Sequence, residues 1–289
     1  MMQPDEWRTR GREIETADGK IFLAELGSER AGDPILVLHG FPTSSWDFAE
    51  CALLLAEKRR VVLFDFLGFG LSDKPHDAGY SLFEQAEIAI HVARACKIER
   101  AHLWAHDMGT SVATELLALR ERRLLPFAVK SLVLMNGSVH VEMASPTIGQ
   151  RILKSPAGPA FARISRRSVF VAQIRRVFAK PPPQEMLARM WDLLERCDGV
   201  KRLPQTIAYM GERARFRRRW IGALERLDVP TLVAWGAKDP VAKLAIGERL
   251  ARETPGADMI SWDDLGHYPQ VEDPARVAEA IGSFLDRLG

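Results

Sequence analysis

Five short runs of continuous apolar sequence dictate most of what this chain can become. They are residues 34–40, 60–65, 102–106, 131–135 and 230–235. Each is dominated by Val, Leu, Ile and aromatic residues, with little polar alternation. A strand of that composition needs apolar cover on both faces, the condition of a parallel sheet sandwiched by helices. Between the runs lie stretches of helical periodicity, residues 82–95, 110–119 and 243–252, with a last one over 274–288. Residues 13–25 read as an opening hairpin with Asp18 and Gly19 at its turn. The alternation predicts a doubly wound, mostly parallel α/β sheet with right-handed crossovers.

The pattern stops after Gly137 and resumes near Val229. The stretch between has helical patches, three consecutive prolines (Pro181, Pro182, Pro183) and no convincing buried strand. It reads as an α-helical insertion, a cap over the strand ends. The expected division is a core from 1–138, a cap from 139–225 and the rest of the core from 226–289. Charge divides the same way. Residues 139–225 hold 17 Lys and Arg against 7 Asp and Glu, while the remainder holds 23 against 31. A basic unit docked on an acidic one explains this, and attraction of an anionic substrate or partner is the sharper alternative. No nucleic-acid recognition motif accompanies the arginines, so nucleic acid is not an expected partner.

With 47% apolar and 27% charged residues, the chain is not intrinsically disordered. No apolar stretch of about eighteen residues occurs, so no membrane span is expected. Residues 1–12 mix acids and arginines without an apolar centre, unlike a secretory signal. Cys51, Cys96 and Cys197 are odd in number and widely spaced, which suits free buried thiols in a reducing cytoplasm rather than a disulfide framework or metal motif.

The turn that carries chemistry is Ala105, His106, Asp107, Met108, Gly109, between an expected strand and an expected helix. It has the small-x-nucleophile-x-Gly form of a nucleophile elbow, where the central residue is thrust out beside a helix N-terminus. An aspartate there is also an ordinary helix N-cap. Three further features favour the nucleophile. His39, Gly40, Phe41 and Pro42 follow the first apolar run and can supply a backbone N–H, from Phe41, to an oxyanion hole whose second N–H belongs to Met108. Asp239 follows the run 230–235, and His267 follows the strand-like residues 259–262. Among seven histidines, His267 is the candidate base. His39 suits a buttress for the oxyanion loop, and His76, His91, His102 and His140 suit surface or core positions. Asp263 and Asp264 are rivals to Asp239 but fit solvated positions better.

The order nucleophile, acid, histidine resembles that of the α/β-hydrolase superfamily, over essentially the whole chain. The Asp elbow resembles the branch of epoxide hydrolases and haloalkane dehalogenases. A closer likeness is to the mesoderm-specific transcript proteins and their bacterial epoxide hydrolase-like relatives. It rests on residues 65–75 (DFLGFGLSDKP), 83–86 (FEQA), 216–224 (FRRRWIGAL) and 267–274 (HYPQVEDP). The resemblance implies an α/β-hydrolase fold with a helical cap, Asp107 as nucleophile, Asp239 as acid, His267 as base and no cofactor or metal. The arginine run then looks like a feature of the family's cap.

An Asp nucleophile forms an alkyl ester by displacing an oxygen or halide from carbon, and water activated by histidine then hydrolyses it. Epoxide hydrolases are similar to one another in using two cap tyrosines as proton donors. Here Tyr209 alone lies in the cap; Tyr80 and Tyr268 lie outside it. His140 or Trp191 could stand in for the missing phenol. Haloalkane dehalogenases carry Trp after the nucleophile and often Asn in the oxyanion loop, where this chain has Met108 and Phe41. Fluoroacetate-type dehalogenases carry arginines beside the nucleophile, and Met108 and Thr110 are not arginines. The resemblance therefore favours a small apolar epoxide and water over a haloalkane or β-lactone. A catalytically silent binding module is the alternative of another class. The expected pocket is apolar, walled by His39, Phe41, Trp104, Met108 and Trp191, with the arginines of 213–219 mostly pointing away. Monomer and homodimer both remain compatible with the sequence.

Overall fold

A computed structural model describes residues 2–289. The apolar runs form the middle of one eight-stranded sheet. In chain order its elements are helix α1 (Pro4–Thr9), strands β1 (Gly11–Thr16), β2 (Gly19–Leu26) and β3 (Ile35–Leu38), helix α2 (Ala49–Ala56), strand β4 (Val61–Phe64), helix α3 (Leu82–Ala95), strand β5 (Arg100–His106), helix α4 (Met108–Glu121) and strand β6 (Ala128–Met135). After seven short helices come β7 (Thr231–Gly236), then a helix and β8 (Asp258–Trp262). The strand order is β1-β2-β4-β3-β5-β6-β7-β8. The hairpin pairs and β2 with β4 run antiparallel; the other neighbours are parallel. Every residue of β3, β4 and β7 is buried, as their lack of polar alternation requires.

The seven helices between β6 and β7 are α5 (Ile148–Lys154), α6 (Gly158–Ile164), α7 (Arg167–Ile174), α8 (Gln184–Glu195), α9 (Gly199–Thr206), α10 (Tyr209–Arg215) and α11 (Arg217–Glu225). The later helices are α12 (Leu244–Glu253), α13 (Pro269–Glu272) and α14 (Pro274–Asp286). Helix α3 occupies the expected residues because Ser81 and Glu84 close a capping box at its start. Helix α4 is buried from Met108 through Ala118. Arg219 of α11 clamps it from outside, donating two 2.6 Å hydrogen bonds to the buried Glu115, which also accepts from Trp220 Nε1 at 2.8 Å. Arg226 holds Glu121 in the same two-pronged way. Part of the basic excess thus docks on acids of the core.

Two expectations change. Helices α1 and α2 lie where no helix was read, and Trp7 of α1 is fully buried against Phe22. Cys51 and Cys96 are buried free thiols, but Cys197 is exposed. It sits in a left-handed turn after α8 (φ +53°) that carries it to the surface. Among the described residues, no helix is long and apolar enough to cross a membrane.

Candidate active site

Asp107 joins β5 to α4 with φ +45° and ψ −110°, backbone that a residue with a side chain adopts at a cost of order 1–3 kcal/mol. The turn needs Gly109, where a Cβ would stand 2.1 Å from the Leu38 carbonyl oxygen, and Gly40, whose Cβ would meet that of Asp107 at 2.9 Å. The Asp107 side chain makes no capping hydrogen bond to α4. Instead Oδ2 accepts the Phe41 N–H at 3.0 Å, and Oδ1 lies 3.7 Å from Arg213 Nη2. The carboxylate is almost wholly buried.

Asp239 and His267 follow β7 and β8, so all three residues gather at the C-terminal edge of the sheet. His267 Nδ1 lies 2.7 Å from Asp239 Oδ2. Asp239 Oδ1 accepts from the Val241 and Ala242 N–H groups at 2.7 and 2.9 Å. Asn136 Nδ2 donates to Asp239 Oδ2 at 2.9 Å, and its Oδ1 accepts the Gly236 N–H. Every lone pair that would let the acid swing away is thus engaged. Burial works to lower the His267 pKa, but the charge and hydrogen bond of Asp239, with the charge of Asp107, raise it above 6.5. The rivals sit outside. Asp264 pairs with Lys180 and Arg276 at the surface, which hold it at about 2, and Asp263 is exposed.

His39 and His106 are structural braces. His39 Nδ1 donates to the Gly40 carbonyl and Nε2 accepts the Phe66 N–H, both at 2.9 Å. His106 Nε2 donates to the His267 carbonyl at 2.7 Å, while burial and the neighbouring His267 push its pKa to about 3. A neutral ring therefore fixes the loop that carries His267.

A cavity of about 90 Å³ lies between the helices that follow β6 and the strand ends. One water needs about 10–15 Å³, so a small organic molecule fits. Phe41, His267 and Tyr268 line it from the core, and Leu153, Phe170 and Trp191 from the other side. Phe41 and Trp191 thus stand where the sequence placed them. Trp104, Met108 and His39 do not line it. Trp104 lies mid-strand, about 10 Å below the elbow at the rise of a β-strand. It is buried edge-on against Phe48, at 4.9 Å between ring centres. Met108 is packed into the core, and His39 is spent on the brace above.

Tyr209 begins α10, buried, its ring 5.8 Å from that of Phe41. Burial and then the Asp107 charge raise its pKa, against the opposing influence of Arg213. Arg213 is the exception among the arginines of 213–219, which otherwise point away. It does not point away: it is buried, lies 4.6 Å over the Tyr209 ring, and donates from Nε to Ser111 Oγ (2.7 Å) and from Nη2 to the Asp107 carbonyl (2.9 Å). Positions i and i+4 share a helix face, so burying Tyr209 carries Arg213 inward; that spacing was the available signal. Arg215, Arg217 and Arg218 are exposed, and Arg219 is held by Glu115. His140 does not reach the cavity either. Its Nε2 lies 2.7 Å from Glu253 Oε2 of α12.

Sequence reasoning also missed Asn136 and Tyr268. Asn136 has φ +43° directly after β6, and the Asn-Gly pair there was its signal. Tyr268 follows His267, lines the cavity and stacks on Phe178; its hydroxyl is only loosely held, 3.4 Å from the Phe41 carbonyl and 3.5 Å from Thr43 Oγ1.

Comparison with known proteins agrees with this geometry. The model of the alpha/beta hydrolase family matches residues 35–280. LipZ of Mycobacterium tuberculosis, named as a hydrolase, is 43% identical over 97% of this chain and 97% of its own. The mesoderm-specific transcript protein of Mus musculus is 34% identical over 97% of this chain and 87% of its own. Haloalkane dehalogenase 2 of Mycobacterium bovis is 26% identical over 99% and 97%. A strand-to-helix elbow, an acid and a histidine in that chain order, and matches over nearly the full length have one reading: the chain belongs to the alpha/beta hydrolase family, among relatives that include the mesoderm-specific transcript proteins.

Proposed function

We propose that this hydrolase opens small apolar epoxides to vicinal diols through an ester on Asp107. The observation that carries the reading is the elbow carboxylate itself. It caps no helix, is pinned through Oδ2 by the Phe41 N–H, and stands with His267 and Asp239 at one sheet edge. Pinning Oδ2 leaves Oδ1 to attack. Oδ1 bonds to an epoxide carbon, the ring C–O bond breaks, and the alkoxide takes a proton from a phenol, Tyr209 with Tyr268 as the second donor. His267, oriented by Asp239, then removes a proton from water. The hydroxide adds to the ester carbonyl carbon, and the oxyanion rests on the Phe41 and Met108 N–H groups. One such donor is worth about 10²–10³ in rate. Collapse releases the diol, protonated by His267, and the acid proton left on Asp107, which now carries one oxygen from water, returns to the phenolate.

The apolar walls of the cavity beside His267 and Phe41 favour an uncharged substrate. The side chains of Phe41 and Met108 offer a halide no N–H donor. Arg213 supports a second reading: its guanidinium beside Asp107 could receive a halide or a carboxylate, so haloalkane or β-lactone turnover on the same nucleophile is the alternative. The assembled Asp107, Asp239 and His267 argue against a silent binding module.

The test is His267→Gln, which keeps the attack and removes the base. Intact-mass spectrometry after addition of styrene oxide should show a stoichiometric adduct, and peptide mapping should place it on Asp107. An adduct on another residue, or none while the parent protein turns the epoxide over, overturns the mechanism. A panel with haloalkanes and β-lactones, with Asp107→Ala as control, decides the leaving group.

A further inference from the structure

The outward side of α5, α6 and α7 has an unusual composition. Residues 143–184 contain eight Lys and Arg and no Asp or Glu. Arg167 pairs with Asp192 and Lys180 with Asp264. Lys154, Arg163, Arg166, Arg175 and Arg176 are exposed and have no acidic partner among the described residues. Interleaved with them are Ile148, 71% exposed, Ile164, 74%, and Val169, 40%. These are three of the six large apolar side chains exposed on the described molecule. The same surface surrounds the mouth of the cavity. Thr147 and Gly149, on either side of Ile148, line it, as do Ser165 and Val169, next to and beyond Ile164.

We propose that this face docks on an anionic phospholipid surface, which places the cavity mouth against the bilayer so that an apolar substrate enters from lipid. An interfacial surface of this kind needs no spanning helix. It needs apolar side chains that enter the acyl boundary and cations that meet the headgroups. A nucleic acid or an acidic protein would use the cations but leave Ile148 and Ile164 against phosphate or water. The arrangement at the mouth fits a partner that is anionic at its surface and apolar beneath. The inference does not depend on the leaving group or on the Asp107 ester, because docking is measured without turnover.

The test is sedimentation of the full chain with vesicles of phosphatidylcholine alone or mixed with phosphatidylserine. Binding is expected to the mixed vesicles, weakening with added salt. The Arg163→Glu, Arg166→Glu, Arg176→Glu triple variant should bind about a hundredfold more weakly or worse, since each cation near an anionic leaflet strengthens binding about fivefold. Ile164→Ser should weaken it at constant charge. All these positions are exposed, so the variants should keep the parent melting curve and its turnover of a water-soluble substrate. Failure to bind the mixed vesicles, equal binding to both kinds, or binding to duplex DNA that exceeds binding to vesicles overturns the proposal.

Discussion

Among the described residues, Arg213 and Asp107 form the one buried ion pair that joins the segment after β6 to the elbow, and their coupling can be measured. Both side chains are almost inaccessible, so solvent screening offers little discount. At 3.7 Å and an effective dielectric constant of about 20, two unit charges attract by about 4 kcal/mol. Desolvation of both groups offsets part of this. Arg213→Met is expected to destabilise the fold by about 3–5 kcal/mol, mostly by leaving the Asp107 carboxylate buried and uncompensated. In an Asp107→Asn background that charge is gone. The same substitution should then cost only about 1–2 kcal/mol, for the bonds to Ser111 Oγ and the backbone carbonyl. The coupling energy is therefore about 2–3 kcal/mol, the upper part of the range for contacting residues. Urea unfolding of the parent, both single variants and the double variant, followed by tryptophan fluorescence and far-ultraviolet circular dichroism, gives the cycle. A coupling below about 0.5 kcal/mol would refute the reasoning: Arg213 would then be a packing residue whose charge is irrelevant to Asp107.

Two further outcomes concern the chemistry. Tyr209→Phe should slow ester formation by about 10²–10⁴, the usual worth of a positioned proton donor, with folding unchanged; pre-steady-state quench kinetics on an epoxide would expose an unaltered rate. On the proposed route ester hydrolysis needs neutral His267, whose pKa is raised above 6.5, so the acid limb of kcat should be centred above pH 6.5. Asp239 supplies the largest upward influence and persists when Asp107 is esterified, so Asp239→Asn should move the limb down. Stability follows the opposite sense. Protonated His267 contributes fully below pH 6.5, and the contribution is lost as pH rises through its folded pKa. A ring titration by nuclear magnetic resonance at or below 6.5 in the parent would contradict both statements.

The strands were legible because a doubly covered strand cannot tolerate polar alternation, and α3 because Ser81 and Glu84 mark its start. The elbow was legible because close approach at Gly109 leaves few alternatives at that position. Helices α1 and α2 were not: α1 is polar except for Trp7, and its burial is decided by Phe22, distant in sequence. The pocket walls were read from residue type alone. Type cannot separate Trp104, deep in the strand, from Trp191, at the cavity. For a related reason Arg213 was not singled out. A run of arginines reads as a solvated face, and only the burial of Tyr209 one turn earlier turns one of them inward. The Asn-Gly pair announces the left-handed backbone of Asn136, but its contacts with Gly236, Asp239 and Gly266 are long-range and no local pattern encodes them.

The way the chain leaves and re-enters the sheet has an evolutionary consequence. Strands β6 and β7 are direct neighbours, with Met135 opposite Ala234. Because the two run parallel, the chain leaves after Met135 and returns at Thr231, the partner of Leu132, about 11 Å away at the other end of the shared ladder. Whatever hangs between two such points leaves the strand pairing untouched. Doubling the length of a flexible connection adds only about 0.6 kcal/mol of closure entropy. A foreign insertion could be transplanted at this junction without rewriting the sheet, and substrate range could diversify while the floor stayed fixed. The transplant would meet one obligation. It must return a positive group to the side of the Asp107 carboxylate, or leave that charge stranded.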